Sequence, residues 1–517
     1  MTRLLLIITA LGLAASSPAQ QAFLDQLAPF YNPASKPFYH GVASGDPTSG
    51  SVIIWTKVTP DRPDEIEVQW EMSMDSLFTK VFKKGGVQTG LDQNWTVHVD
   101  VTGLQPATYY YYRFIYAGQK SRVGRTRTAP TGQVERLRLA MVSCSNYEAG
   151  FFNAYGNLAR RDDIEAVIHL GDYIYEYKSG GYGNSKLPRK NIPAHEIVKL
   201  DDYRARYSLY RLDPDLQALH ARHPFITIWD DHEFANDAYT GGAQNHQPDG
   251  EGPWEARKAA AQKAYFEWLP VRRGSRGELY RNFRYGNLAE LWMLDGRLAG
   301  RSKQAKSAQD PAFASEERTM LGSDQFEWLT QGMAQSDAVW RILGNQVFMS
   351  SVDASKVFKD NPKFMDMWDG YPAERNRLFQ FFESQQMKNI IVVTGDSHTS
   401  WAFELTRNPH NKADYNSKTG KGVVGVEYCT PSVTSANYDE YVSRLKVKLG
   451  QRRFSKGGIN PHTRYRDLIN HGYMILTLDR QSASAEWRHM KTVKSPTRKE
   501  RPAVKRVYRT GQGIAKS

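Results

Sequence analysis

Side chains able to bind metal recur in four short groups: Cys144-x-Asn146, Asp172-x-x-Tyr175, Asp230-Asp231-His232 and Asp396-x-His398. Thiolate, phenolate and imidazole favour a transition metal, while carboxylates and amide oxygens suit a harder cation. An unperturbed Tyr ionises only near pH ~10, so a phenolate ligand at Tyr175 calls for a strong Lewis acid. Ferric iron is the natural candidate, although zinc and manganese also fit these residue types. Asp230, Asn236, Asn345 and Gln346 are candidates either for metal ligation or for support of the ligands. A carboxylate buried at a strand end is costly unless it is paired or bound to metal.

Each group directly follows an apolar run, at residues 137–142, 166–170, 224–229 and 389–394, and each run has the length of a core strand. Further runs at 288–294 and 340–343 end in Asp295-Gly-Arg297 and in Gly344-Asn-Gln. Helical spacing occupies 151–161, 203–219, 254–269, 325–331 and 374–387, and later strands are expected at 423–428, 473–478 and 483–489. Strands alternating with helices predict a layered α/β domain, whose sites gather beyond the carboxyl ends of the strands. Arg297 is placed either to clamp a phosphate bidentately or to pair with Asp295. His169, within its run, is expected to be a core histidine, and Tyr173 and Tyr177 to be packing residues. Asp230 and Glu233 are candidates to orient His232. Glycine-containing loops at 179–193 and 241–252 are placed to rim a site. They lack the lysine of a phosphate-binding P-loop.

Before this α/β region, residues 38–130 alternate in β fashion, and a Leu104-Gln-Pro corner runs into Tyr109–Tyr112. That pattern resembles immunoglobulin-like and fibronectin type III sandwiches, with the tyrosines as packing. With 517 residues, two or more domains are expected. Residues 1–19 combine a charged start, an apolar segment and a Ser17-Pro18-Ala19 cleavage site, which predicts a signal peptide and a secreted or periplasmic protein. The alternative is an N-terminal membrane anchor. Residues 20–37 form a linker or short helix, 38–132 the sandwich, 136–490 the catalytic domain and 491–517 a basic tail. Of the net +13, the tail supplies +8, so the folded body is not expected to recognise nucleic acid specifically. The tail is expected to be mobile, either solvated or touching anionic surface polymer or lipid. Oligomeric state is not legible. The two cysteines, Cys144 and Cys429, allow a disulfide, but the setting of Cys144 favours metal ligation.

Taken with His40-Gly-Val-Ala-Ser-Gly-Asp-Pro, His169-Leu-Gly-Asp-Tyr-Ile-Tyr-Glu-Tyr, Trp229-Asp-Asp-His-Glu, Trp368-Asp-Gly-Tyr-Pro, Gly395-Asp-Ser-His and Ser432-Val-Thr-Ser, the chain resembles the alkaline phosphatase D (PhoD-like) family of metallophosphatases. The resemblance runs from about Phe38 to His489. It implies a four-layer α/β/β/α metallophosphatase domain preceded by the immunoglobulin/fibronectin III-like sandwich, and hydrolysis of phosphate esters at Fe3+ and Ca2+. It implies metal ligands at Cys144, Asp172, Tyr175, Asp231, Asp396 and His398, with Asp172 bridging metals and Tyr175 on iron. His232 would lie near the leaving group, and Asn146 and Arg297 would complete the catalytic set. Family signals often carry twin arginines, whereas this one has only Arg3, which favours the general secretory route. The expected reaction is hydrolysis of phosphate monoesters, with some diesters, by attack of a metal-bound hydroxide. The alternatives are a phospholipase D-type phosphodiesterase and a catalytically inactive secreted binding protein.

Overall fold

The computed structural model describes residues 18–183, 186–275, 277–357, 363–454, 458–510 and 513–516. The expected signal peptide therefore lies almost wholly outside the described residues, which begin with helix α1 (Pro18–Leu27). The segment expected as a linker or short helix thus contains a helix, and Leu27 anchors it in the main core.

Strands β1 (Val42–Gly45), β2 (Ser51–Lys57), β3 (Ile66–Ser73), β4 (Val81–Thr89), β5 (Thr96–Thr102), β6 (Tyr109–Tyr116), β7 (Gln119–Lys120) and β8 (Gly124–Arg127) follow. One leaf is β1-β2-β5, and the other is β4-β3-β6-β7 with β8 on β6. Val52, Ile54, Val97 and Val101 pack against Val68, Met72, Tyr110, Tyr112 and Phe114 between them. The tyrosine ladder alternates buried and half-buried, as packing residues of a strand must. At the Leu104-Gln-Pro corner, Tyr110 Oη accepts from the Gln105 amide at 2.9 Å.

The first leaf also belongs to the catalytic sheet. Strands β9 (Arg136–Val142), β10 (Ala166–His169) and β11 (Phe225–Thr227) are parallel, and β1 joins them by pairing Gly45 with Phe225. A Cβ at Gly45 would lie 2.1 Å from the Pro270 carbonyl oxygen, so this close approach requires glycine. Ala43 and Trp55 turn away from the sandwich into the main core.

The second catalytic sheet holds β12 (Arg281–Tyr285), β13 (Ala289–Met293), β14 (Trp340–Gly344), β15 (Ile390–Thr394), β16 (Ser400–Thr406), β17 (Val423–Cys429) and β18 (Thr463–Asp467), in the order β12-β13-β14-β15-β17-β16-β18. Its residues alternate between two cores. Leu291, Ile342, Ile391 and Val393 share the main core with Leu139, Ile168 and Ile226 of the first sheet. Trp292, Leu343, Ile390 and Val392 face α7 (Ser323–Gln335) and α8 (Pro372–Ser384) through Leu329, Met333, Leu378 and Phe382. Helices α2 (Asn153–Leu158), α3 (Leu200–Arg211), α4 (Pro214–Arg222), α5 (Pro248–Glu251) and α6 (Trp254–Trp268) lie between the strands of the first sheet and β12 in the chain, and α9 (Tyr438–Tyr441) and α10 (Arg444–Arg453) lie between β17 and β18. The result is the expected α/β/β/α stack.

The single helix expected at 203–219 is two. Asp213 accepts from the amides of Asp215 and Leu216 at 2.9 and 3.1 Å and starts α4, with Pro214 at its first position. The expected mobile tail is also corrected. After β19 (Gly472–Asp479) and β20 (Ser482–His489), β21 (Val504–Arg509) and β22 (Gly513–Lys516) extend the first sheet at its edge. Residues 491–501 are tied back by Asn153 Nδ2 on the Thr492 and Ser495 carbonyls and by Arg498 on Asp215. Val507 and Tyr508 are buried, so an apolar strand pattern lay hidden among the charges. Cys144 and Cys429 are both free and buried, and no disulfide joins them. No described helix is long and apolar enough to cross a membrane.

Candidate metal centre

The four groups meet where the two sheets present their strand ends. Cys144 follows β9, Asp172 β10, Asp231 β11, and Asp396 and His398 β15. The chain turns sharply at each place. Cys144, Asp172, Asp396 and His398 all adopt left-handed backbone, with φ of 59, 55, 52 and 60°. Such conformations cost about 1–2 kcal/mol per non-glycine residue and persist at functional sites because the surroundings over-determine them. Gly171, at φ +102°, lets two strand ends touch, since a Cβ there would lie 2.3 Å from Asp230 Cβ.

Three overlapping sets bring donor atoms within 4.8 Å of one another: Cys144–Asp172–His398, Asp172–Asp231–His232 and Asp230–Asp231–Asp396. Asp172 and Asp231 each belong to two of them, as a bridging ligand would. Tyr175 Oη donates to Asp172 Oδ2 at 2.9 Å, lies 3.3 Å from His398 Nε2 and accepts from Ser435 Oγ at 2.6 Å. His398 Nδ1 sits 3.0 Å from the Ala436 carbonyl, which leaves Nε2 facing the cluster. Burial keeps this imidazole neutral, at about 4, the form a metal takes.

Two observations fit a cation here. Asp172 Oδ1 and Asp230 Oδ2 are buried and have no hydrogen-bond partner, and such orphans are rare in folded proteins. Burial also drives the carboxyls of Asp172 and Asp396 well above their usual range and Asp230 to about 6, while burial and then Asp172 push the Cys144 thiol up. Burial of Asp231 is outweighed by Arg297 and His232, which hold it at about 2. Desolvated acids and a thiol crowded together need positive charge among them to ionise.

Supporting residues hold the ligands in place. Glu233 binds the amides of Asp172, Tyr173 and Asp230 at 3.0, 2.5 and 2.8 Å, so one carboxylate ties two strand ends together. It does not orient His232. That task falls to Glu176, whose Oε2 lies 2.8 Å from His232 Nδ1 and whose Oε1 takes the Asn236 amide and Asn245 Nδ2. Burial opposes a proton on His232, but Asp231, Glu176 and Asp172 outweigh it and raise its pKa. His232 also packs at a tilt against Tyr175, with ring centroids 4.3 Å apart.

Several expected site residues have other work. The Arg297 guanidinium is fully buried and spent on carboxylates: it pairs with Asp230, takes Asp366 at 2.8 and 3.0 Å, and lies 3.6 Å from Asp231 and 3.4 Å from Asp396. It therefore positions acids rather than clamping phosphate. Asp295 receives only backbone amides from this turn, so the alternative ion pair is not the arrangement either. Asn146 donates to the Tyr182 carbonyl and accepts from the Glu148 amide at 3.0 Å, which uses its amide to hold the 179–193 loop. Asn236 holds Gln244 Oε1 at 3.0 Å. Gln346 joins three strand ends through the Trp229 and Leu294 carbonyls and the Gly296 amide, and Asn345 holds the Val347 carbonyl and Trp368. Asp230 remains a candidate ligand through Oδ2. His169 is a core residue bonded to Tyr155 Oη at 2.9 Å, and Tyr173 packs with its hydroxyl on His220. Tyr182 closes one side, its hydroxyl 3.5 Å from His398 Nδ1.

Residues 139–487 match the family described as PhoD-like phosphatase, and residues 25–130 match the PhoD-like phosphatase N-terminal domain. The chain belongs to the PhoD-like phosphatase family. It is 38% identical over 429 residues to alkaline phosphatase D of Bacillus subtilis (strain 168), covering 78% of this chain and 70% of the relative. A solved structure of PhoD superposes with a TM-score of 0.83 at 34% identity, over 94% of this chain and 93% of that one. A purple acid phosphatase from yellow lupin seeds shares the fold, with a TM-score of 0.53 at 14% identity over 90% and 73% of the two chains. As a PhoD-like phosphatase, the protein is a metal-dependent phosphoric ester hydrolase, and phosphate esters are its substrates.

Proposed function

We propose that this PhoD-like phosphatase is an exported enzyme that hydrolyses phosphate monoesters, and some diesters, at a centre of ferric iron and calcium. The observation that carries the metal reading is the meeting of Cys144, Asp172 and His398 with the Tyr175 hydroxyl, a soft and phenolic donor set beside the all-oxygen set of Asp230, Asp231 and Asp396. Cys144, Asp172, Tyr175 and His398 would hold the iron; Asp230, Asp231 and Asp396 would hold the harder cation, with Asp172 shared. When bound, such ions neutralise phosphoryl charge and bring the pKa of water toward neutrality.

The chain's own groups do the rest. Arg297 keeps four carboxylates, of Asp230, Asp231, Asp366 and Asp396, from repelling one another. Glu176 fixes the His232 ring through Nδ1, which leaves Nε2 to hold a proton for the departing oxygen. Tyr182 walls the centre and limits water. Export is supported by the charged and apolar start of residues 1–19.

Elemental analysis of the purified protein tests the centre. Iron and calcium are expected, and Tyr175→Phe should lose the visible phenolate-to-iron absorption. A fully active protein without either metal overturns the metal assignment. Turnover of nitrophenyl phosphate beside bis-nitrophenyl phosphate tests the substrate class, and a strong preference for the bis-ester would replace this reading with that of a phosphodiesterase. Sequencing the mature N-terminus from exported protein should find a start near Gln20.

A further inference from the structure

Helix α10 has a face that the catalytic machinery does not use. Val447 and Phe454 anchor it in a small core with Phe348, Trp401 and Phe403. On the opposite side of the helix, at about 3.6 residues per turn, Leu445 and Leu449 stand one turn apart with exposures of 68% and 47%. Tyr441 and Val442, just ahead of the helix, are 64% and 46% exposed. Single exposed apolar residues are ordinary, but four within the nine residues 441–449 mark an interaction surface.

Cations frame this stripe. Lys448 and Arg452 lie on one flank, Lys446 and Arg453 on the other, and all four are exposed, as is Arg444. The helix, Arg-Leu-Lys-Val-Lys-Leu-Gly-Gln-Arg-Arg, contains no acid. A soluble polyanion would meet the cations but leave the leucines in water. A neutral protein surface would bury the leucines but strip five cations of solvent. An anionic lipid surface uses both, because leucines enter the acyl boundary while long basic side chains reach the headgroup phosphates.

The patch also borders the metal centre. The Ala436 carbonyl lies 3.0 Å from His398 Nδ1 and Ser435 Oγ donates to Tyr175 Oη at 2.6 Å, so the chain runs from the ligands straight into α9 and the exposed Tyr441. We propose that α10 and the turn before it dock on an anionic phospholipid bilayer and hold the mouth of the metal centre against it. The contact is peripheral, since no described helix can cross a membrane. It assigns to α10 the surface contact that composition alone suggested for the tail.

Co-sedimentation of the full chain with vesicles tests this. Binding is expected to vesicles of mixed phosphatidylcholine and phosphatidylglycerol, and none to phosphatidylcholine alone. Paired Lys446→Glu and Lys448→Glu changes should weaken the partition by about 25-fold or more, from roughly fivefold per basic residue. Paired Leu445→Asp and Leu449→Asp changes should weaken it comparably, and both variants should keep wild-type turnover of soluble nitrophenyl phosphate. Failure of the wild-type chain to bind the anionic vesicles overturns the proposal whatever the variants do. Unchanged binding by the leucine variant also overturns it, because the surface would then be a polyanion site.

Discussion

Asp46 and Asp172 are both carboxylates buried at strand ends, and both sit in left-handed backbone, with φ of 46 and 55°. Asp46 is satisfied by protein groups: Arg281 takes it bidentately at 2.7 and 2.9 Å and the Arg272 amide adds a third bond at 2.7 Å. Asp172 accepts from Tyr175 on one oxygen and leaves the other without a partner. The two acids occur in motifs of similar appearance, His40–Pro47 and His169–Tyr177. The first, in which His40 also bonds Ser208 at 2.7 Å, fastens the sandwich to the catalytic sheets, and the second forms the metal centre. A buried acid completed by protein donors is structural, whereas one left incomplete is reserved for a ligand.

Substitution at Asp172 should give the largest effect. Asp172→Asn is expected to remove bound iron and lower turnover by more than about a thousandfold, roughly 4 kcal/mol of barrier, with little loss of thermal stability in the presence of chelator. A variant that melts early but retains metal would erase the contrast with Asp46. Asp46→Ala should do the reverse: the chain loses about 1–3 kcal/mol in denaturant titrations, because the half-buried Arg281 and the Arg272 amide lose their carboxylate acceptor, while the folded fraction keeps its metal content and kcat.

Glu176→Gln sharpens the contrast within the centre. The metal content should hold, and kcat should fall by about 10–100-fold with KM little changed, since only the orientation of His232 is disturbed. A variant that instead loses its metals would make Glu176 part of the coordination.

A pH-dependent effect concerns Lys57, near the Asp46 side of the comparison and buried against Trp95 and Trp268. Burial, then Arg204, lowers its pKa from 10.5 to about 7. The unfolded chain therefore binds more protons between these values, so stability rises with pH across this window by up to about 1.4 kcal/mol per unit. The penalty is fully present below pH 7 and gone above 10.5. Lys57→Met should raise Tm at pH 7 and leave it unchanged near pH 10.5, and an equal gain at both would show that packing, not charge, is responsible.

Much of the catalytic region was legible because buried strands leave apolar runs and each run stops at a polar ligand. Cys144, Asp172, Asp231, Asp396 and His398 could thus be placed at strand ends. Strands β16 and β18 and the tail strands β21 and β22 were not foreseen. In β18 and β21 the apolar positions are diluted by charged residues, as in Val504-Lys-Arg-Val-Tyr-Arg, and only the neighbouring strand shows which side is covered. Glu176 stood in a quoted motif without a role, since nothing in its spacing reveals that it reaches His232 across 56 positions.

The sequence alone determined which chemistries are available: thiolate, phenolate, imidazole and carboxylate, each after a core strand, with a β-sandwich ahead of them. Those properties are local and depend on residue type and period. The tertiary structure alone decided which polar atoms end up satisfied. It turned Arg297, Asn146, Asn345 and Gln346 inward as supports, left oxygens of Asp172 and Asp230 unpaired, and folded the basic end into the sheet. Whether a buried donor or acceptor finds a partner depends on groups far away in the chain, and that information exists only once the strand ends have been brought together.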